Sequence, residues 1–171
     1  NTGAIDLELN PSDPDEVYAA MWTARRYPWS IDSGSETENG IYKSTDGGAT
    51  WKMTDTGLPD GPTGKIDLAV TPADPARVYA LVEAAPEVEG LYRSNDRGDT
   101  WRLISNENGI MRRPFYYTNV DADPNDADVV WVNNEGFFKS ENGGEDWRRV
   151  STPHGDNHDM WINPDNTDIM V

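Results

Sequence analysis

Three stretches of the chain are close variants of one phrase: "GIYKSTDGGATW" from Gly40, "GLYRSNDRGDTW" from Gly90 and "GFFKSENGGEDW" from Gly136. Their serines, Ser44, Ser94 and Ser140, recur at a step of roughly 50 residues, which is the spacing of a repeated supersecondary unit. A second series is threaded between them: "IDLELNPSDPDEVYA" from Ile5, "IDLAVTPADPARVYA" from Ile66, "TNVDADPNDADVVWV" from Thr118 and "HDMWINPDNTDIMV" from His158. Its prolines are Pro11, Pro72, Pro124 and Pro164, and Val17, Val78, Val130 and Met170 follow them at a constant offset. Few architectures accommodate two interleaved series of this kind.

Each unit reads as four strands. Ile5, Leu7 and Leu9 alternate with Asp6 and Glu8, the period of a strand with one face buried. A Pro/Asp turn leads into a second strand around Val17–Ala19. The third strand starts at Gly40, and an Asp/Gly turn joins it to a fourth that starts at the tryptophan. No stretch carries a helical period, and seven tryptophans with fifteen glycines favour short strands. Four short antiparallel strands per repeat are what a β-propeller blade requires. The expected fold is all-β: a single partial propeller with blades at approximately 1–60, 61–112 and 113–153, and half of a fourth at 154–171. Such an array leaves strand edges open, so further blades from the same or another chain are expected to complete the ring.

The phrase resembles the Asp-box, or BNR, repeat Ser-x-Asp-x-Gly-x-Thr-Trp, carried by Ser44, Asp46, Gly48, Thr50 and Trp51, and by Ser94, Asp96, Gly98, Thr100 and Trp101. The third copy keeps Ser140, Gly144 and Trp147 but has Asn142 for the aspartate and Asp146 for the threonine. Proteins with this repeat include sialidases, xyloglucanase-type glycoside hydrolases, sortilin-like receptors and photosystem assembly factors. The wording "RRPFYY" and "PHGDNHDMWINPD" is most similar to large bacterial secreted proteins of the sortilin-like, BNR-repeat type. That resemblance implies a secreted, extracellular or periplasmic setting; fold does not fix function.

The Asp-box itself reads as a corner. Calcium needs six to eight oxygens, and one carboxylate per turn falls far short. Asp and Ser side chains instead accept backbone N–H bonds within a turn, and a tryptophan buries a large surface between blades. Resemblance agrees, since in this family the box is a fold element away from the active centre. In a four-stranded blade the strand 1–2 turns and the Asp-boxes share one face, which puts the strand 2–3 loops and the blade-to-blade connections on the other. Irregular loops on a regular scaffold are where sites are carried.

The irregular segments are few. The longest strand 2–3 connection, between Val17 and Gly40, holds Arg25, Arg26, Tyr27 and Trp29. The connection into blade three carries Arg112, Arg113, Tyr116 and Tyr117. The connection into blade four carries His154, Asp156 and His158; Asp159 falls at the repeat position of Asp6, Asp67 and Asn119 and reads as structural. Arginine beside aromatic rings in an acidic protein suits a carboxylate- or sugar-bearing ligand. His154, Asp156 and His158 are also the residues that could chelate a divalent metal, against the alternative of a histidine simply bonded to an aspartate. "DADPNDADVV" lacks the glycine and terminal glutamate of a calcium loop and is the strand 1–2 turn of blade three.

Charge excludes some partners. Fourteen basic against thirty-one acidic residues leave a formal −17, which argues against nucleic acid and anionic membranes. There is no cysteine, hence no disulfide or thiolate metal site, and no apolar run long enough to span a bilayer. Nothing in the sequence calls for a cofactor. The expected role is a glycan- or protein-binding scaffold acting through the irregular face. The alternatives are a glycoside hydrolase fragment, with Tyr116 or Tyr117 as nucleophile and Asp156 as acid, and a structural subunit of an extracellular assembly. A sialidase-like reading meets an obstacle: sialidases resemble one another in an Arg-Ile-Pro motif ahead of the first box, whereas "RRP" here follows the second.

Overall fold

The computed structural model describes residues 2–35 and 37–171. Strands β1 (Thr2–Leu9), β2 (Val17–Arg26), β3 (Ile31–Ser33), β4 (Gly40–Ser44) and β5 (Lys52–Met53) form one sheet in the order β1-β2-β4-β5, with β3 paired to the far end of β2. Strands β6 (Ile66–Val70), β7 (Val78–Val82), β8 (Gly90–Ser94) and β9 (Arg102–Ser105) form a second sheet. Strands β10 (Asn119–Ala122), β11 (Val130–Asn133), β12 (Phe137–Ser140) and β13 (Arg148–Arg149) form a third. The strands of each sheet pair antiparallel in chain order, with β3 the one insertion. One helical turn, α1 (Pro114–Tyr117), lies in the connection to the third sheet. Beyond it, Ile162 bridges Met170 antiparallel, with Trp161 and Val171 exchanging N–H···O bonds of 2.8 and 3.0 Å: the first hairpin of a fourth blade. The molecule is a partial β-propeller.

The first strands lie side by side, β1 against β6 and β6 against β10, so they line the axis. The core sits between blades. Ile66 and Leu68 on β6 and Trp101 pack against Tyr18, Ala20 and Ile41 of the first sheet. One step on, Val120, Val130 and Val132 pack against Tyr79, Leu81 and Leu91. Each fully buried large side chain contributes about 1.5–3 kcal/mol of transfer free energy. A carboxylate staple repeats beside each cluster. The Leu68 N–H donates to Asp6 Oδ2 at 2.7 Å, and the Val120 N–H to Asp67 Oδ2 at 2.8 Å, so an aspartate on each first strand holds the next.

Two expectations need correcting. The apolar side of β1 was expected to be buried, yet Ile5, Leu7 and Leu9 are 42, 55 and 58% exposed. Trp51, expected between blades, is 41% exposed, whereas Trp101 is 5% exposed. The reason is common to both: this side of a blade packs on the blade before it, and no described residue occupies that position for the first sheet.

The Asp-box turns are locked by their own side chains. In the first, Ser44 Oγ accepts from the Gly48 N–H at 2.9 Å, while Asp46 accepts from the Thr50 N–H at 2.8 Å and the Thr50 hydroxyl at 2.6 Å. Those Thr50 bonds, with a further one from Ser44, hold the Asp46 carboxyl down at about 2. Asp96 and Thr100 repeat the pattern at 2.9 and 2.6 Å. The third turn exchanges the chemistry: Asn142 Nδ2 donates to Asp146 Oδ2 at 2.9 Å, and the Asp146 N–H donates to Asn142 Oδ1 at 3.0 Å. Gly47, Arg97 and Gly143 donate their N–H groups to the carbonyls of Asp15, Ala76 and Asp128 in the strand 1–2 turns, at 2.8–2.9 Å. Both turn types therefore share one face of the propeller.

Candidate functional site on the loop face

On the opposite face, two loops that are distant in sequence meet. Arg113 caps α1 from a left-handed conformation (φ 53°), and Pro114 follows at the first helical position, where its fixed φ suits the turn. The single turn ends at Thr118, whose hydroxyl donates to the Arg112 carbonyl at 2.6 Å. This sets Tyr117 inward, at 3% exposure, and Tyr116 outward, at 57%. The Tyr117 ring stacks on His158 with centroids 4.8 Å apart and 10° between planes, and Tyr116 meets Tyr117 edge-on at 4.9 Å. The Tyr117 hydroxyl donates to Asp156 Oδ1 at 2.7 Å. The Arg113 guanidinium lies 5.4 and 5.6 Å from the Tyr116 and Tyr117 ring centres, within cation–π range.

The floor of the cluster is tied to the axis. Buried Lys65 donates from Nζ to the Thr118 carbonyl at 2.9 Å, Asn119 Oδ1 at 2.7 Å and Asp67 Oδ1 at 3.3 Å. The Asn157 N–H donates to the Asn134 carbonyl at 2.9 Å, and Asn134 Nδ2 bonds the Gly109 and Ile110 carbonyls. Backbone strain is concentrated here. Among the described residues, three non-glycines have positive φ: Arg97, Arg113 and Asp156. Arg97 occupies the turn position that is Gly47 and Gly143 in the other boxes. The other two belong to the cluster, where each left-handed residue costs about 1–2 kcal/mol and persists because its surroundings hold it.

Burial, then the hydrogen bond to the Asp156 carboxylate, raises the Tyr117 hydroxyl above its ordinary value, so it stays protonated. A tyrosine nucleophile needs the reverse. His154 stands apart: its Nδ1 faces the Gly155 carbonyl at 2.9 Å in an open recess beside Arg149–Thr152. Among the described residues no group of three or more His, Cys, Asp or Glu side chains is placed to hold a metal ion. His154, Asp156 and His158 thus do not converge on one point.

Arg25, Arg26, Tyr27 and Trp29 form a separate feature. β2 runs past its last partner on β4, Met21 with Gly40, and turns back through Tyr27–Ser30 to pair with β3. The result is a hairpin finger with Tyr27 and Trp29 stacked at 6.1 Å and 18°, and Arg25 4.9 Å from the Tyr27 centre. Among the described residues no hydrogen bond or ring contact joins it to the Arg113 cluster. None of Arg25, Arg26, Arg112 and Arg113 is ion-paired among the described residues, although Lys43, Lys65, Arg77 and Arg97 all are.

Sequence reasoning missed two features. It weighed Tyr117 and Asp156 as nucleophile and acid of one site and had no signal for the bond between them. It also read the repeated first-strand position of Asp6, Asp67 and Asp159 only as structural, whereas the first-strand acids form a ladder lining the axis. Burial, then the charges of Asp6, Asp67 and Asp121, pushes Glu8 up to about 8; burial raises Asp121 to about 7 and Asp67 to about 6. The alternation of Asp6, Glu8, Asp67 and Asp121 along successive first strands was the available signal.

The geometry defines a β-propeller with a built cluster on its loop face. In sequence, residues 42–53, in the first blade of this propeller, match the BNR/Asp-box repeat model. No curated protein matches it in sequence. Its fold is similar to a GH74 enzyme of Niastella koreensis (TM-score 0.68, 23% identity, 96% of this chain and 25% of that one). It is also similar to the GH74 xyloglucanase of Xanthomonas campestris (0.57, 19%, 94% and 21%) and to YCF48 bound to D1 peptide (0.61, 11%, 97% and 49%). The chain spans about a quarter of the first two proteins and half of the third. At these identities the likeness is one of fold.

Proposed function

We propose that this chain is a non-catalytic recognition module that binds a carboxylate-bearing ligand, an acidic sugar or a peptide carboxylate, on its loop face at Arg113, Tyr116, Tyr117 and His158. The observation that carries the reading is the coincidence, in one cluster, of backbone strain at Arg113 and Asp156 with an arginine that has no carboxylate partner among the described residues, in a chain of net charge −17. A planar guanidinium grips a carboxylate bidentately, and stacked rings offer a flat apolar wall. Asp156 fixes Tyr117, and Arg112 adds positive charge at the rim. The YCF48 structure, which holds a peptide, supports a binding role for a blade set of this kind. The resemblance to secreted Asp-box proteins supports an extracellular or periplasmic setting.

A hydrolase reading has less support. It needs two carboxyl groups flanking a sugar, or an activated tyrosine. Asp156 is engaged with Tyr117, whose hydroxyl is raised rather than lowered. The test is a binding panel of sialylated glycans, uronates and peptides with free carboxylates. The expected result is capture weakened at least tenfold in Arg113→Ala and severalfold in Tyr117→Phe, with Lys52→Ala on the opposite face unchanged. Binding that survives Arg113→Ala contradicts the reading. Turnover of aryl-glycosides that vanishes in Asp156→Asn replaces it with the hydrolase.

A further inference from the structure

The β2–β3 finger has no counterpart in the second and third sheets, whose second and third strands join directly. It departs from the repeat at a cost, since a lengthened loop orders extra residues. Its base is bolted down. Trp22 Nε1 donates to Ser33 Oγ at 2.9 Å, and Ser33 Oγ donates to Glu83 Oε2 at 2.9 Å. The same Glu83 oxygen accepts the Lys65 N–H at 2.7 Å, and the Ser35 N–H donates to the Thr63 carbonyl at 3.2 Å. The finger is therefore held in place by the second blade, and a pre-organised element binds without the ordering cost a loose loop incurs.

Its tip is chemically distinct from the rest of the chain. Trp29 is 83% exposed, the largest exposure of any aromatic residue among those described. Its ring lies nearly parallel to Tyr27, and the Arg25 guanidinium lies over the Tyr27 ring, giving a ladder of one cation and two rings. Arg25 and Arg26 are both exposed, and neither is ion-paired among the described residues.

We infer that the finger is a second binding element, which takes an acidic polysaccharide by stacking a pyranose ring on Trp29 and pairing a carboxylate with Arg25, while Arg26 adds positive charge from the other face of the ribbon. Size decides against a protein partner. A specific protein interface buries about 800 Å² per partner over 20–30 residues, and the ladder offers only a few side chains. A thin chain with a flat apolar sugar face and regularly spaced carboxylates fits those few. Charge does not forbid it. β1 accompanies β2 as far as Thr23, and from there the finger extends roughly 10 Å to Arg26 at about 3.3 Å per residue, past the ~8 Å Debye length at physiological salt, with Asp32, the cross-strand partner of Arg25, setting one carboxylate beside the two arginines. This inference goes beyond the proposed function and does not depend on the Arg113 cluster.

Affinity electrophoresis of the full chain tests it, with polygalacturonate, neutral hydroxyethylcellulose and poly-glutamate as probes. Retardation by polygalacturonate is expected, weakened at least tenfold in Trp29→Ala and in Arg25→Ala/Arg26→Ala, and within twofold of wild type in Lys52→Ala on the Asp-box face. Trp29 is exposed enough that its loss leaves the circular dichroism spectrum intact. Absence of retardation overturns the inference, as does retardation that survives Trp29→Ala. Equal capture by poly-glutamate would make the finger a reader of acidic protein segments, and equal capture by hydroxyethylcellulose would remove the arginines' role; either overturns it. Loss in Arg113→Ala with retention in Trp29→Ala would assign the polysaccharide to the cluster, sinking the finger while leaving the proposed function standing.

Discussion

Gly48 and Gly144 occupy the same place in two Asp-boxes, with φ of 88° and 92°. A Cβ on Gly48 meets only the Trp51 ring at 3.5 Å; one on Gly144 falls 2.2 Å from Leu91 Cδ2, in a core that cannot yield. Left-handed strain of about 1–2 kcal/mol applies to both, and overpacking adds about 1–3 kcal/mol at Gly144 alone. Urea unfolding should therefore show Gly144→Ala as the markedly more destabilised variant. A similar comparison isolates the exchanged pair of the third box. Asn142→Asp sets two carboxylates against each other across the Asp146 contact and should cost about 1 kcal/mol. Asp146→Thr added to it should recover most of that loss in a double-mutant cycle. This much was legible in the sequence, because Asn142 and Asp146 depart from the repeat together. The Tyr117–Asp156 bond was not, because it joins two unrepeated loops that only the closing of blade three onto blade four brings into contact.

First strands carry the pH dependence. Glu8, Asp121, Asp67 and Asp6 all have raised values, chiefly through burial, so the folded state holds their protons more tightly than the unfolded chain does. Stability from these groups is full below about pH 4, the unfolded value, and is lost as pH rises through 6 to 8. Asp46 and Asp96 are lowered by their Thr50 and Thr100 bonds and act the other way, losing their contribution as pH falls below about 4. Partial exposure of the ladder tempers the size of the effect. The melting temperature should be higher at pH 5.5 than at pH 9 by at least about 4 °C, and Glu8→Gln should remove much of that difference; a flat profile contradicts the account. The alternation in β1 announced a strand, but Ile5, Leu7 and Leu9 turned out to be the open side. Pattern gives the period of a strand, and only the neighbouring blade decides which face is covered.

At the scale of the whole molecule, the repeats specified a propeller because each blade can bury its apolar side only on another blade. The side formed by Ile5, Leu7, Leu9 and Trp51 is shaped for a blade presenting an equivalent of Tyr18, Ala20 and Ile41. Leu7, which would take such a blade's aspartate, instead donates its N–H to Asp6 Oδ1 at 2.8 Å. The 171-residue chain taken alone should therefore self-associate, and Leu7→Thr/Leu9→Thr should shift it toward monomer in sedimentation; a monomeric wild-type chain contradicts this. The separation of faces, with locked turns on one and the Arg113 cluster on the other, is the central claim. An amide shift titration with glucuronate tests it most directly. The account predicts movements confined to Arg112–Thr118, Gly155–Asp159 and the Arg25–Trp29 finger, with Gly48, Gly98 and Gly144 unmoved; shifts centred on the Asp-box turns, or none on the loop face with any carboxylate ligand, would contradict it.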